Sequence, residues 1–184
     1  YVEMALNYRV VENISSDLSF KHYAVDDMVR QVIRKYAKIF ISKKIKMDFI
    51  PTKACIVTDE KWFIFVLEQI ISNALKYTPE NGSVHIYASE TNDSWNVEVN
   101  DTGIGIPANE QKKLFKIHFR GSNAINSKVT GSGIGLMLVW KLVHLHKGKI
   151  NLSSVEHQGS SIKVSFPKDS KHFHKAHLAT RTRE

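Results

Sequence analysis

The spacing of apolar and polar residues divides the chain into helices and strands. Apolar residues that recur every three or four positions predict three amphipathic helices, at Asp27 to about Lys43, about Asp59 to Tyr77, and 133–146. Alternating apolar and polar residues predict strands, at about 18–23, 45–50, 83–90, 95–101, 149–155 and 160–166. This order predicts an α+β fold, a two-layer sandwich in which about three helices cover a mixed, mostly antiparallel sheet.

The segments between and beyond these elements carry weaker signals. Asp26 is predicted to be the N-cap of the first helix, because a carboxylate there can accept hydrogen bonds from first-turn amides. A short helix is expected at 109–115, and 116–131, which is rich in Ser, Asn and Gly, is predicted to be a mobile loop. We expect residues 1–18 to be the end of a longer helix plus a linker, and the basic tail 168–184 to be disordered.

Composition is that of an ordinary soluble domain, and only the charge changes the picture. The formal net charge is +8, which can indicate a nucleic-acid binder. The tail after Pro167 holds five Lys and Arg residues against two acids, a net +3, and aromatic residues do not interleave with the basic ones as a stacking platform requires. We therefore predict no nucleic-acid partner. No apolar run reaches the roughly 20 residues that span a bilayer, and the single cysteine, Cys55, fits a reducing compartment.

Polar residues of the second predicted helix lie along one face. Asn73 comes four residues after Gln69, three before Lys76 and four before Tyr77, and such spacings bring side chains together on a helix. An amphipathic helix with one wet side would explain this pattern equally well. Asparagine is a mediocre residue for a helix interior, however, and an amide oxygen can ligate Mg²⁺ while a nearby ammonium meets phosphates. The face is thus a candidate metal and phosphate platform.

The stretch "DTGIGIP" ends a strand pattern with an acid and two glycines. Period-two alternation places Asp101 on the same side as Val97 and Val99, and a buried carboxylate needs hydrogen-bond donors. Solvent exposure at a fraying strand end is the alternative. Gly103 and Gly105 would let the backbone approach a flat ligand closely. An acid that accepts from an exocyclic amine beside glycine walls predicts an adenine slot.

A second glycine run, "GSGIGL" at 131–136, opens the third helix. Backbone amides at a helix N-terminus form an anion site, which the helix dipole strengthens. The run lacks the Gly-Lys-Ser/Thr of a P-loop. Leu136 occupies the third glycine position of a dinucleotide-binding pattern, and the run lies outside a βαβ unit, so a Rossmann site is excluded. Each glycine run carries little weight alone, but together with the Asn73 helix they favour a nucleotide site.

These motifs, in this order, resemble the catalytic and ATP-binding domain of bacterial sensor histidine kinases, which are members of the GHKL ATPase superfamily. The resemblance covers about residues 19–167, which we take as one domain. "EQIISNALKY" is similar to the N box, "DTGIGIP" to the first glycine box, "KLFKIHFR" to the F box and "GSGIGL" to the second glycine box. The resemblance implies ATP and Mg²⁺ as cofactors.

The resemblance also implies roles for single residues. Asn73 would hold Mg²⁺ and Lys76 would contact phosphate, so both are candidate catalytic residues together with Gln69. Tyr77 would flank the adenine, and Asp101 would accept a hydrogen bond from its amino group. The remaining implied nucleotide contacts are Gly103, Gly105, Ile106, Gly131, Ser132, Gly133, Gly135, Leu136 and Ser160, the last acting through water.

The loop 107–130 would be a flexible ATP lid that becomes ordered when nucleotide binds. Phe115, Phe119 and Arg120 would belong to it, with Arg120 as a further phosphate contact.

One position separates kinases from hydrolases within the superfamily. Gyrase-like and Hsp90-like hydrolases carry a glutamate one turn before the metal-binding asparagine, and here that position is Gln69, which cannot act as a general base. Glu68 is adjacent, but helix geometry turns it about 100° away. A protein histidine kinase is therefore favoured. The alternatives are an ATPase clamp of the gyrase, MutL or Hsp90 type and a non-catalytic nucleotide-sensing module.

The resemblance implies partners that this chain does not contain. Sensor kinases phosphorylate a His followed by an acid on a dimerisation domain, and none of the nine His residues here precedes Asp or Glu. We therefore expect the chain to bind Mg-ATP but not to phosphorylate itself. The implied partners are the dimerisation domain of the same protein, as a homodimer, and a cognate response regulator. The chain would be a cytoplasmic domain of a protein anchored in the bacterial cell membrane.

Overall fold

The computed structural model describes residues 19–116, 119–126 and 132–168. The strands in these ranges are β1 Phe20–Ala24, β2 Lys46–Ile50, β3 Cys55–Asp59, β4 Ser83–Glu90, β5 Ser94–Asp101, β6 Lys149–Val155 and β7 Gly159–Pro167. The helices are α1 Val25–Ser42, α2 Glu60–Tyr77, α3 Ser122–Asn126 and α4 Gly135–Leu145, with a 3₁₀ turn at Gln111–Lys113. The predicted α+β fold is confirmed.

One sheet forms the platform for the long helices. Its strand order is β2-β4-β5-β7-β6, in which β2 runs parallel to β4 and the other neighbours are antiparallel. The register pairs Asp101 with Ser160 on one side and with Val84 on the other. The end of β5 therefore lies inside the sheet and not at a free edge.

The core lies between one face of this sheet and helices α1, α2 and α4. The apolar side of α2 is buried as the sequence predicts, and a fully buried Leu or Ile contributes about 1.5–3 kcal/mol relative to an exposed one. The α2 residues of this core are Phe63, Val66, Leu67, Ile70, Ile71, Ala74 and Leu75. Because packing fixes this face against the sheet, the polar face with Asn73 must point towards a different part of the molecule.

A second, two-stranded sheet escaped the sequence analysis. Strand β3 was not predicted, and it pairs antiparallel with β1 over five positions. Asp59 at its end caps α2, since its side chain accepts hydrogen bonds from the amides of Lys61 and Trp62 at 3.0 and 3.3 Å. The other carboxylate oxygen accepts from the amide of Ser19 at 2.8 Å. One carboxylate thus joins the start of the described chain to the start of α2.

The prediction that Asp26 caps the first helix is wrong. The helix begins at Val25 after the extended residue Ala24, so Asp26 lies in its first turn. Its two oxygens accept from the backbone amides of Thr52 and Lys53 at 3.0 and 2.9 Å. The carboxylate is used to fix the loop before β3, where Lys53 has a positive φ of 58°.

The segment after β5 also differs from the prediction. The helix expected at 109–115 is only the 3₁₀ turn at Gln111–Lys113, and the segment expected to be an irregular loop contains α3. The predictions for 1–18 and for the tail beyond Lys168 fall outside the described residues. Among the residues that are described, no helix is long and apolar enough to cross a membrane.

Candidate functional site

A cavity of about 370 Å³ opens between α2, the end of β5, the loop that follows β5 and the start of α4. Most of the residues predicted as nucleotide contacts line it: Gln69, Asn73, Lys76, Tyr77, Asp101, Gly105, Ile106, Arg120, Ser132, Gly133, Gly135, Leu136 and Ser160. Gly103 lies off the cavity wall, and Gly131 is outside the described residues. The fold thus brings together residues from five separate segments of the chain.

The acid of the site stands at the end of β5. Burial raises the pKa of Asp101 to about 6, although backbone amides of Gly103 and Ser160 donate to the carboxylate and oppose the rise. The Gly103 amide lies 2.8 Å from Oδ1. A Cβ at position 103 would lie 2.6 Å from that oxygen and 2.7 Å from the Tyr77 carbonyl oxygen. Gly103 is therefore a close support behind the acid rather than a wall of the cavity.

Two cations and a phenol also line the cavity. The Lys76 ammonium lies 5.2 Å from the centre of the Tyr77 ring. Burial lowers the pKa of Lys76, and the positive charge of Arg120 lowers it further. Burial raises the pKa of Tyr77, while the charge of Arg120 and a hydrogen bond from it act in the opposite direction. This concentration of positive charge suits a polyanion.

The loop after β5 lines the cavity with Gly105 and Ile106, and its conformation requires glycine at position 105. That residue has φ of +63°, and a Cβ there would lie 2.0 Å from the carbonyl oxygen of Val155. Two side-chain amides hold the same loop. Asn123 Nδ2 donates to the Gly105 carbonyl at 2.8 Å, and Gln111 Nε2 donates to the Ile106 carbonyl at 3.0 Å. These contacts tie the predicted lid to the predicted base pocket.

The sequence analysis missed Gln111 and Asn123. Asn123 lines the cavity from α3, and Gln111 also donates to the Ser154 carbonyl at 2.8 Å. Both lie in a segment without apolar periodicity, and no sequence spacing links either of them to the carbonyls they contact. A pair of amides that flanks an F-box motif was the only available signal.

The start of α4 packs directly against α2. A Cβ at Gly135 would lie 2.3 Å from Gln69 Oε1, so only glycine allows this approach without displacing the glutamine. Gly133, which also lines the cavity, has φ of +71°. The side chains of Ile134, Met137 and Leu138 are buried and pack with Phe65 of α2. The N-terminal turn of α4 is thereby fixed beside the polar face that carries Asn73.

The side chains that line the cavity could ligate a magnesium ion that phosphates also coordinate. They do not supply enough ligands to hold the ion alone. In the described ranges, no group of three His, Cys, Asp or Glu residues could hold a metal ion. Asn73 offers an amide oxygen to the cavity, and Mg²⁺ usually keeps several waters and needs only one or two protein ligands when phosphates supply the rest. The predicted binding of Mg²⁺ therefore depends on the predicted binding of a nucleotide, whose phosphates would supply the missing ligands.

Comparison with known proteins places the chain in a family. The model of the family described as histidine kinase-, DNA gyrase B-, and HSP90-like ATPase matches residues 58–170, which is more than half of the chain. The chain belongs to this family. The resemblance inferred from the N box and the glycine boxes is confirmed.

Two curated relatives are named as a sensory kinase and a sensor histidine kinase. The adaptive-response sensory kinase SasA of Synechocystis is 31% identical over 147 residues, which cover 78% of this chain and 38% of that protein. Sensor histidine kinase YvrG of Bacillus subtilis is 28% identical over 168 residues, which cover 90% of this chain and 29% of that protein. The chain thus spans well under half of the length of these relatives.

Solved structures show the same fold. The catalytic domain of histidine kinase ThkA superposes with a TM-score of 0.72 at 24% identity, covering 82% of this chain and 96% of that one. Full-length ShkA, solved in complex with AMPPNP, gives 0.77 at 22% identity and covers 91% of this chain and 35% of that one. At these identities the likeness establishes architecture, and the assignment of single residues depends on the cavity described above.

Proposed function

We propose that the chain is the ATP-binding catalytic domain of a two-component sensor histidine kinase, and that it passes the γ-phosphoryl group of ATP to a histidine on a separate dimerisation domain. The observation that carries the proposal is that, among the described residues, one cavity is lined by a half-buried acid, two cations and an asparagine amide. The family assignment and the names of the relatives support it.

The acid end of the cavity is proposed to hold adenine. The Asp101 carboxylate already accepts from the backbone amides of Gly103 and Ser160, and its remaining lone pairs would accept from the exocyclic amine. Tyr77 and Ile106 would flank the ring. Ser160, whose hydroxyl is 2.9 Å from that of Ser154, would reach the base through water. An acceptor-only group at this position favours adenine over guanine, because guanine presents a carbonyl oxygen there.

The cationic part of the cavity is proposed to hold the triphosphate. Lys76 and Arg120 would neutralise phosphate charge, and Asn73 would hold Mg²⁺. When bound, the ion would neutralise charge and orient the phosphates for transfer. The turn that opens α4 would surround the phosphates with backbone, through Ser132, Gly133, Gly135 and Leu136. Gly131, which lies outside the described residues, is proposed as a further phosphate contact.

The residue one turn before Asn73, Gln69, favours transfer of the phosphoryl group over hydrolysis of ATP. Gln69 carries an uncharged amide and packs on Gly135, so it cannot remove a proton from water. Phosphoryl transfer depends mostly on positioning and charge neutralisation, which the cavity provides without a base. The nucleophile would come from the dimerisation domain.

The proposed partners follow from the kinase assignment. They are the dimerisation domain of the same protein, as a homodimer, and a response regulator. A solved ThkA structure, with a TM-score of 0.67 to this chain at 20% identity, is a complex with the response regulator protein TrrA. Anchoring of the complete protein in the cell membrane is proposed from the resemblance alone.

Calorimetric titration with ATP and GTP, each with and without Mg²⁺, tests the assignment of the cavity. We expect ATP to bind at least about tenfold more tightly than GTP, because one charge-assisted hydrogen bond distinguishes them, and Mg²⁺ to strengthen binding. Equal affinities for the two nucleotides, or no binding of either, would refute the proposed base pocket.

Steady-state ATP turnover distinguishes the proposed kinase domain from the alternative function, an ATPase clamp. We expect the chain alone to release phosphate from ATP at a rate close to the uncatalysed background, and Gln69→Ala to leave that rate unchanged. Turnover that is measurable in the wild type and lost in Gln69→Ala would favour the clamp. A supplied histidine-bearing dimerisation domain should become phosphorylated, and if ATP binds without such transfer the chain is a nucleotide-sensing module.

A further inference from the structure

Lys43 contacts the end of the helix that carries the phosphate and base residues, although it lies outside the cavity. It follows α1, and its ammonium donates to the carbonyl oxygen of Leu75 at 2.6 Å and to that of Thr78. These two carbonyls enclose Lys76 and Tyr77 in the sequence. A single side chain therefore bonds the backbone on both sides of the pair proposed to meet the nucleotide.

The helix end needs this kind of partner. The last carbonyls of a helix lack intrahelical donors and carry the negative end of the helix dipole. Thr78 meets one of them, since its amide and hydroxyl both donate to the Ala74 carbonyl, at 3.0 and 2.6 Å. The Tyr77 carbonyl accepts from the amide of Ile104 at 3.2 Å. The end of α2 is thus held by Lys43 on one side and by the loop of the base pocket on the other.

Lys43 is itself fixed in place. Its amide donates to the Ile39 carbonyl and its carbonyl accepts from the Asn81 amide, both at 3.0 Å. Burial lowers the pKa of its ammonium, and the negative charge of Glu80 acts in the opposite direction. A partly buried cation with anchored backbone can hold two carbonyls in register, whereas an exposed lysine tip could not.

We propose that Lys43 is a positioning residue for nucleotide binding, which sets the placement of Lys76 and Tyr77 relative to Asp101 by clamping the carbonyls of Leu75 and Thr78. The inference rests on the proposed function, because it assumes that Lys76 and Tyr77 contact ATP. Lys43 touches neither base nor phosphate in this arrangement and acts only through the backbone of α2.

The variant Lys43→Met keeps the length of the side chain and removes its donors. At a temperature at which the variant is fully folded, we expect it to bind ATP about tenfold more weakly than the wild type. The reason is the loss of two charge-assisted hydrogen bonds that fix the end of α2. Lys43→Arg keeps a cation and should recover most of the affinity. Lys38→Met removes an exposed lysine of the same helix and should bind ATP like the wild type. An unchanged affinity in Lys43→Met would overturn the inference.

Amide hydrogen exchange without nucleotide tests the clamp independently of ATP. In Lys43→Met we expect faster exchange at Ile104, whose amide bonds Tyr77, and unchanged exchange at Leu138 and Leu142 in α4. Uniformly faster exchange with a lower melting temperature would mean that Lys43 only stabilises the fold, and the inference would be wrong. A wild type that ignores ATP would refute the proposed function, whereas exchange at Ile104 would still decide whether Lys43 positions α2.

Discussion

The Asp101→Asn variant is expected to bind ATP about 10- to 100-fold more weakly than the wild type, because a charge-assisted hydrogen bond contributes about 1.5–3 kcal/mol. The asparagine amide would also direct hydrogen-bond donors towards the adenine amine or the Gly103 amide. Calorimetry at pH 7.5 measures the effect. Asp93→Asn, which changes an exposed aspartate in the β4–β5 turn, is the matched control and should bind ATP normally.

The same substitution is expected to make the free protein more stable. The folded state holds the Asp101 proton more tightly than the unfolded chain, with a pKa of about 6 against 3.8. The stability that this proton contributes is present below about pH 3.8 and is lost as the pH rises through about 6. The neutral asparagine avoids that loss, which amounts to about 2–3 kcal/mol at pH 7.5.

Urea unfolding of the two proteins at pH 4.5 and pH 7.5 measures this dependence. The advantage of Asp101→Asn over the wild type should be small at the lower pH and grow between them, while Asp93→Asn should track the wild type. A variant that is less stable at both values would show that the carboxylate serves the fold and is not held ionised for a ligand.

The pKa of Asp101 also predicts how selectivity depends on pH. In the proposed base pocket, the ionised carboxylate would accept from adenine, whereas the protonated acid would donate to the guanine carbonyl. The ratio of ATP to GTP affinity should therefore decrease as the pH falls below about 6. A ratio is the proper measurement, because the phosphates of the two nucleotides titrate alike. A ratio that stays constant down to pH 5 would contradict the role of Asp101.

Replacing Gly105 with Ala is expected to lower the free energy of unfolding by about 3 kcal/mol or more, since a left-handed backbone costs about 1–2 kcal/mol in any residue with a Cβ and a backbone clash adds to it. The new Cβ would lie 2.0 Å from the Val155 carbonyl oxygen and 2.8 Å from Glu156 Cα. These are backbone atoms of the β6–β7 hairpin, in which the backbone amide of His157 also donates to the Ile104 carbonyl at 2.8 Å. The loop cannot shift without breaking that bond.

Thermal unfolding of Gly105→Ala measures the loss of stability, and ATP titration measures the effect on the pocket. We expect the fraction of this variant that folds to bind ATP more weakly than the wild type. Gly121→Ala is the control for the loss of stability alone, because Gly121 itself lines the cavity. Its Cβ would meet Asn123 Oδ1 at 3.0 Å and Glu110 Oε2 at 3.3 Å, which are ends of side chains that can move. If the two variants lose stability equally, the close approach at Gly105 does not constrain the pocket.

The parts of the site that lie on regular elements could be predicted from the sequence. On α2, helical period separates the buried stripe of Leu67 and Ile70 from the face with Asn73 and Lys76, so one pattern fixes both the core and the polar wall. Strand period places Asp101 on the inner side of β5 in the same way. These predictions succeed because a regular backbone converts sequence spacing into direction.

The parts that depend on contacts between distant segments could not be predicted. Strand β3 is short, and its partner β1 lies about thirty residues earlier. Asp26 resembles a helix cap until the loop at Lys53 is placed against it. In the sequence, Lys43 is one of three lysines close to the end of the first helix, which alone indicates only a solvated helix end, yet its ammonium donates to a carbonyl thirty-two residues later. In each case the partner is a backbone amide or carbonyl group. Almost every residue carries both groups, so the sequence does not indicate which of them a side chain or strand will contact.

The Asp59 carboxylate has a mechanical consequence. It bonds Ser19 at the entrance of the described chain and the first amides of α2, and β1 lies beside β3 over five pairs. A pull or twist applied to whatever precedes Ser19 would therefore reach the helix bearing Asn73 directly, without first deforming the five-stranded sheet. Strain from outside the domain would then act on the same helix that carries Asn73 and Lys76 to the cavity.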